Sequence, residues 1–281
     1  MKSAQYNTSV NTQKILEKVE KLALHKDGMK DSALMHHIFS LIDLTSLNST
    51  DSDTLISTLT GKVNKLHERF PEFPNVAAIC VYPPFVPVVR KTLQDDKVKI
   101  ASVAGSFPSS QTFLDIKLAE VERVISEGAD EIDVVISLGK FLEGRYEIVS
   151  DELKEIKKVA RSKTFKVIIE SGNIRELSLI KTASFLALEA GADFIKTSTG
   201  KLEVGAKPEA VYVMCEAIKE YSNKSGRIAG IKPAGGISEI SSAVHYFLIV
   251  NDVLGNDWLQ PERFRIGTSK LANLLLGESY F

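Results

Sequence analysis

Short apolar runs alternate along this chain with longer stretches in which apolar residues recur every three or four positions. The runs at 39–44, 76–81, 98–103, 131–136, 165–170, 193–197, 228–232 and 264–267 have the length and branched character of buried strands. Between them, 112–127, 151–162, 175–190 and 208–221 carry helical periodicity. Eight strand-then-helix units predict an α/β fold, a parallel sheet closed into a (β/α)₈, or TIM, barrel. A doubly wound open sheet is the competing arrangement, but no G-x-G-x-x-G turn follows the first strand. Ahead of the barrel pattern, Ile15, Leu16, Val19, Leu22 and Leu24 are spaced among charges and predict a helix over 14–26. The expected organisation is therefore a helical extension over 1–30 and a barrel over 31–281.

The length of 281 residues suits this division, since a barrel of this class takes about 250. Composition adds little: 44% hydrophobic and 25% charged residues are ordinary for a globular enzyme. The net charge of −1 gives no general attraction to nucleic acid or to an anionic membrane, so any anion must be held locally. No apolar run is long enough to span a bilayer, and residues 1–13 lack the apolar core of a signal peptide. Two cysteines, Cys80 and Cys215, make no disulfide framework, and a reducing cytoplasm is the expected setting. The five histidines form no recognised ligand set, so no metal is expected; His36 and His37 precede the first strand and read as structural.

In such a barrel the chemistry sits at the C-terminal strand ends. The sixth strand ends in Lys196, followed by Thr197-Ser198-Thr199-Gly200-Lys201, and the seventh in Lys232, followed by Pro233-Ala234-Gly235-Gly236. Side chains alternate faces, so Lys196 shares a face with Phe194 and Ser198, and Lys232 with Ile228 and Gly230. Facing inward from neighbouring strands about 4.8 Å apart, two ammonium groups disfavour each other's charge, and one becomes a neutral nucleophile. The plainer alternative is that each lysine snorkels to solvent. Asp133 interrupts the apolar fourth strand and faces inward if Ile132, Val134 and Ile136 face the helices; it is either a proton carrier for a lysine or a structural ion pair. Asp43, ending the first strand, either meets a substrate hydroxyl or caps the next turn. The loops Gly235-Gly236-Ile237-Ser238 and Gly267-Thr268-Ser269-Lys270 stand where these barrels bind phosphate, and Thr199-Gly200-Lys201 adds a cation. A complete P-loop is absent.

Taken together, Leu41-Ile42-Asp43-Leu44-Thr45, Val76 to Cys80, Gly128 to Val135, Val167 to Glu170, Gly191 to Lys201 and Lys232 to Gly236 resemble the deoxyribose-phosphate aldolase family over most of the chain. The resemblance implies a class I, Schiff-base aldolase that reversibly cleaves 2-deoxy-D-ribose 5-phosphate to D-glyceraldehyde 3-phosphate and acetaldehyde, with no cofactor. It implies Lys196 as the Schiff-base lysine, Lys232 as its charged neighbour and Asp133 as a proton relay. Asp43, Thr199, Gly200, Lys201, Gly235, Gly236 and Ser269 would bind substrate. Ser238 stands where many members have arginine, and Lys270 where many have a second serine. Some members also carry a mobile C-terminal tyrosine; Tyr280 is the candidate here, although a frayed tail over 277–281 is the simpler expectation. The implied partners are a sugar phosphate and acetaldehyde, with room for a homodimer. A barrel isomerase or epimerase using carboxylate bases, and a non-catalytic sugar-phosphate-binding barrel, share the phosphate loops and stay open at this point.

Overall fold

The computed structural model describes residues 6–26 and 31–281. Its strands are β1 (Ile42–Thr45), β2 (Ala78–Val81), β3 (Lys99–Ala104), β4 (Glu131–Val135), β5 (Thr164–Ile168), β6 (Phe194–Lys196), β7 (Gly230–Lys232) and β8 (Ile266–Thr268). All pair in parallel, in the order β7-β6-β5-β4-β3-β2-β1-β8. Bridges from Ile231 to Phe264 and from Ala234 to Gly267 join β7 to the eighth strand and close the circle. The fold is a TIM barrel, and the open-sheet alternative is excluded.

Strand alternation divides the side chains into two sets. Ile132, Val134, Phe165, Val167, Ile195 and Ile231 belong to the large apolar core shared with the helices. Asp133, Lys166, Lys196 and Lys232 take the other parity, into the barrel, where they are almost wholly buried. Small side chains there make space for them: Ala78, Cys80, Ala101 and Val103 form a separate cluster with Leu47. Gly230 leaves room for the Phe194 ring, which a Cβ would meet within 2.5 Å. Gly267 does the same for Lys232, whose Cε lies 3.1 Å from where a Cβ would stand.

The first strand starts later than its apolar run suggests. Phe39 and Ile38 belong to a helix, Ser32–Ser40, packed at the barrel's base, and β1 begins at Ile42. Apolar helix end and apolar strand abut there, so the run is continuous although the geometry changes. The expected helix at 151–162 begins earlier, as Tyr146–Ala160, and the one at 208–221 continues as Pro208–Ser225 until Gly226 adopts a left-handed cap (φ 73°).

The N-terminal helix is Thr12–Ala23, capped by Asn11, whose Oδ1 accepts from the Lys14 amide at 3.0 Å. It lies on the outer helices. Ile15 and Val19 are buried, Lys18 Nζ donates to the Tyr212 hydroxyl at 2.7 Å, and His245 Nε2 bonds the Val19 carbonyl at 3.0 Å. The remainder of the expected extension, 1–5 and 27–30, lies outside the described residues. Among the described residues, no helix is long and apolar enough to cross a membrane.

Candidate active site

A cavity of about 350 Å³ opens at the C-terminal strand ends, between the loops after β1, β6, β7 and β8. Lys196, Lys201 and Lys270 line it, and among the described residues no carboxylate does. An anion would therefore meet favourable charge from Lys201 and Lys270, although the chain as a whole carries almost none.

Lys196 reaches the cavity from its floor and leads down into a buried ionic network. Register places Lys196 opposite Lys232, and Asp133 opposite Lys166. Both Lys196 Nζ and Lys232 Nζ donate to Asp133 Oδ2 at 2.8 Å, and Lys166 Nζ donates to Oδ1 at 2.9 Å. Lys232 Nζ also lies 2.5 Å from Asp43 Oδ2, and Lys166 Nζ 2.5 Å from Glu131 Oε2. Arg265 closes the base, with bonds of 2.6 Å to Asp43 and 2.8 Å to Glu131.

Burial acts on each member, and the partners decide the outcome. For Lys196, burial is the largest influence and pulls its pKa below the ordinary value; Asp133 opposes this and the charge of Lys232 adds to it. Burial also works against a charge on Lys232, but Asp133 and Asp43 outweigh it and hold that ammonium protonated far into alkaline conditions. Asp133 is penalised by burial too, yet Lys166, Lys196 and Lys232 hold it well below the usual carboxylate range. The paired lysines thus differ in kind: one is an amine shifted toward its neutral form and open to the cavity, the other a cation held behind it. Burial weighs most on both lysines alike; what separates them is counter-charge, since Lys232 has Asp43 as well as Asp133 beside it and Lys196 has Asp133 alone. Cys80 faces the same interior, and burial raises its thiol pKa.

The cavity rim is tied together by hydroxyls. Thr197 Oγ1 donates to the Ala234 carbonyl at 3.0 Å and accepts from the Ala234 amide at 2.9 Å, joining the loops after β6 and β7. Thr268 Oγ1 donates to the Ile237 carbonyl at 2.8 Å, joining the loops after β7 and β8. Gly200 and Gly235, both at positive φ, bring two loop backbones together: a Cβ on Gly235 would lie 3.1 Å from the Gly200 Cα. The Lys201 ammonium bonds the Leu47 carbonyl across the cavity mouth.

A family description of DeoC/LacD aldolases matches residues 38–250. The chain belongs to that family. This aldolase is 38% identical over 266 residues to a Caenorhabditis elegans protein assigned to deoxyribose-phosphate aldolase, covering 93% of this chain and 86% of the relative. Among solved structures, the aldolase QR15 is similar with a TM-score of 0.70 and 29% identity, over 85% of this chain and 95% of that one. The tetrameric deoxyribose phosphate aldolase of Aeropyrum pernix is similar in fold, with a TM-score of 0.69 and 24% identity over 92% and 96% of the two chains.

Most of the site residues expected from the aldolase sequence converge. Lys196, Thr199, Gly200, Lys201, Gly235, Gly236 and Ser269 line the cavity, and Asp133 and Lys232 stand directly beneath Lys196. Asp43 is the exception. It is wholly buried, lies against Lys232 and Arg265, and is not among the residues that line the cavity. Lys166, which interrupts the apolar β5, Glu131, at the start of β4, and Arg265, just before β8, escape sequence reasoning. Glu170 escapes too: at φ 54° it turns back so that its carboxylate accepts from the Thr199 amide at 3.1 Å.

Proposed function

We propose that this chain is a Schiff-base aldolase that reversibly cleaves 2-deoxy-D-ribose 5-phosphate into D-glyceraldehyde 3-phosphate and acetaldehyde. The observation that carries the reading is the asymmetric lysine pair: Lys196, with its lowered pKa, opens to the cavity while Lys232 stays charged behind the shared Asp133 oxygen. A neutral amine at this position attacks the C1 aldehyde of the open-chain sugar and, with loss of water, forms an iminium. A base removes the proton of the C3 hydroxyl. The C2–C3 bond then breaks, its electron pair moves toward the iminium nitrogen, and glyceraldehyde 3-phosphate leaves. Protonation of the enamine at C2 and hydrolysis release acetaldehyde and restore the amine. Asp133 and Lys232 serve as the proton relay beside the nitrogen.

Thr199, Gly200, Lys201, Gly235, Gly236, Ser238, Ser269 and Lys270 form the phosphate end of the cavity in this reading. An isomerase that uses a carboxylate base fits less well, because no carboxylate among the described residues lines the cavity. The chemistry belongs to the breakdown of deoxyribose phosphates, and the buried free thiols Cys80 and Cys215 accord with a reducing cytoplasm.

The test is borohydride reduction in the presence of acetaldehyde, followed by mass mapping. The expected result is a reduced two-carbon adduct on Lys196, with activity and adduct both absent from a folded Lys196→Ala variant. An adduct on another lysine, or none on active enzyme, overturns the assignment.

A further inference from the structure

The proposed reaction uses Lys196, Lys232 and Asp133 and leaves a deeper set of buried charges without a task. Glu131 and Arg265 are 3% and 5% exposed, and neither lines the cavity. We propose that Arg265 and Glu131 are positioning residues that act through Asp43 and Lys166 to make Lys196, rather than Lys232, the neutral amine. This inference rests on the Schiff-base reading.

The contacts distribute counter-charge unevenly. Lys166 lies 2.5 Å from Glu131, 2.9 Å from Asp133 and 3.5 Å from Asp43. Lys232 lies 2.5 Å from Asp43 and 2.8 Å from Asp133, and Arg265 lies 2.6 Å from Asp43 and 2.8 Å from Glu131. Each of these cations therefore touches at least two carboxylates. Lys196 touches one, Asp133 at 2.8 Å, through the oxygen that Lys232 also holds. The charges of Asp43, Glu131 and Asp133 are matched by Lys166, Lys232 and Arg265. A proton on Lys196 would add a positive charge in excess of these carboxylates at a side chain only 3% exposed, where solvent compensates it poorly.

The other groups facing Lys196 weigh less in this balance. Cys80 presents a buried thiol from β2 and Phe107 a ring 6.0 Å away from the loop after β3. Glu170, just past β5, accepts from the Thr199 amide at 3.1 Å; burial raises its pKa and so favours its neutral form, and Lys196 is the smallest of the influences on it.

The sign of each perturbation follows. Loss of the Arg265 charge leaves Asp43 and Glu131 undercompensated, and the network recovers balance by protonating Lys196. Loss of the Glu131 charge leaves a surplus of positive charge and disfavours that proton further. Removal of both restores the balance. A role confined to stability would not produce opposite shifts, because both deletions disrupt the same ion pairs.

The experiment is the rate of acetaldehyde trapping on Lys196 by borohydride as a function of pH, in Arg265→Met, Arg265→Lys, Glu131→Gln and the double variant Arg265→Met/Glu131→Gln. Arg265→Met is expected to move the rate midpoint to higher pH, with trapping at neutral pH slowed about tenfold. Glu131→Gln moves the midpoint to lower pH, the double variant returns it toward the wild-type position, and Arg265→Lys leaves it in place. Midpoints that move in the same direction in both single variants, or a double variant that does not return, overturn the proposal. If Arg265→Met does not fold, Glu131→Gln decides alone: an unmoved or raised midpoint refutes it. Absence of wild-type trapping at Lys196 instead refutes the Schiff-base reading, so the two failures are distinguishable.

Discussion

A lysine at the end of a buried strand has two fates, solvent or partner, and the barrel gives Lys196 and Lys232 the same partner atom. Asp133 Oδ2 accepts from both at 2.8 Å. Removing the charge in Lys232→Leu takes away one influence that lowers the Lys196 pKa and frees Asp133 to pair with Lys196 alone, so that pKa rises. Trapping at neutral pH is expected to slow about tenfold or more and to recover as pH is raised; an unchanged pH–rate profile would count against the assignment. Asp133→Asn leaves three buried lysines short of a counter-ion, which costs about 3–5 kcal/mol for a pair of this kind. Because the folded pKa of Asp133 is depressed, its contribution is present above the unfolded value near 3.8 and is lost as pH falls toward the folded value. Urea unfolding from pH 7 downward should therefore show the two proteins converging below about pH 4. In kinetics the same variant should lower kcat, and a rise in KM with kcat intact would remove the relay role. The lysine pair was legible because each lysine ends an apolar strand before a glycine-rich turn. Lys166 and Arg265 were not, because their meaning lies in carboxylates 33 and 134 positions away in sequence, brought within reach only by closure of the barrel.

At the scale of elements, strand centres were readable from apolar runs and their edges were not. Phe39 and Ile42 sit in one apolar run, yet one ends a helix and the other starts β1, and periodicity has no means of marking the join. The loops after β6, β7 and β8 carried clearer information, since turn residues and hydroxyls declare themselves. What stayed hidden was their coupling, through Thr197 to Ala234 and through Thr268 to Ile237. That coupling sets the last of the phosphate-end questions: Ser238 and Lys270 lie on neighbouring tied loops and both line the cavity. A cation moved from the loop after β7 to the loop after β8 still faces the same space. Lys270→Ser is accordingly expected to weaken the phosphorylated substrate about fivefold to twentyfold in kcat/KM while sparing its unphosphorylated analogue, in keeping with loss of one charge-assisted contact. Equal losses on the two substrates would place Lys270 outside phosphate recognition.

Across the whole molecule, the first and the last described segments pack onto the barrel's exterior. The N-terminal helix covers the outer layer through Lys18 and Val19, and Tyr6, ahead of that helix, stacks its ring on Phe185 at 4.4 Å. The C-terminal tail, expected to fray, is instead pinned. Asn273 Oδ1 accepts from the Tyr280 and Phe281 amides at 3.0 and 2.7 Å, and the Tyr280 hydroxyl donates to the Lys62 carbonyl at 2.9 Å. The Tyr280 ring meets Phe70 edge-on at 5.3 Å. Lys62 is near the end of the helix Asp53–Asn64, which follows β1 and so has run back to the face opposite the cavity. Tyr280 does not line the cavity, and its bonds hold it at the base. The packing of two half-buried aromatics contributes about 1–2 kcal/mol. Deletion of Tyr280 and Phe281 is therefore expected to lower Tm by roughly 2–8 °C. Exchange of solvent protons into acetaldehyde, which reads enamine formation at Lys196, should proceed at the wild-type rate in the truncated protein. Slowed exchange with an unchanged Tm would reverse the conclusion, because it would mean that the tail leaves its base-side contacts during turnover and that the phenol serves the reacting carbon.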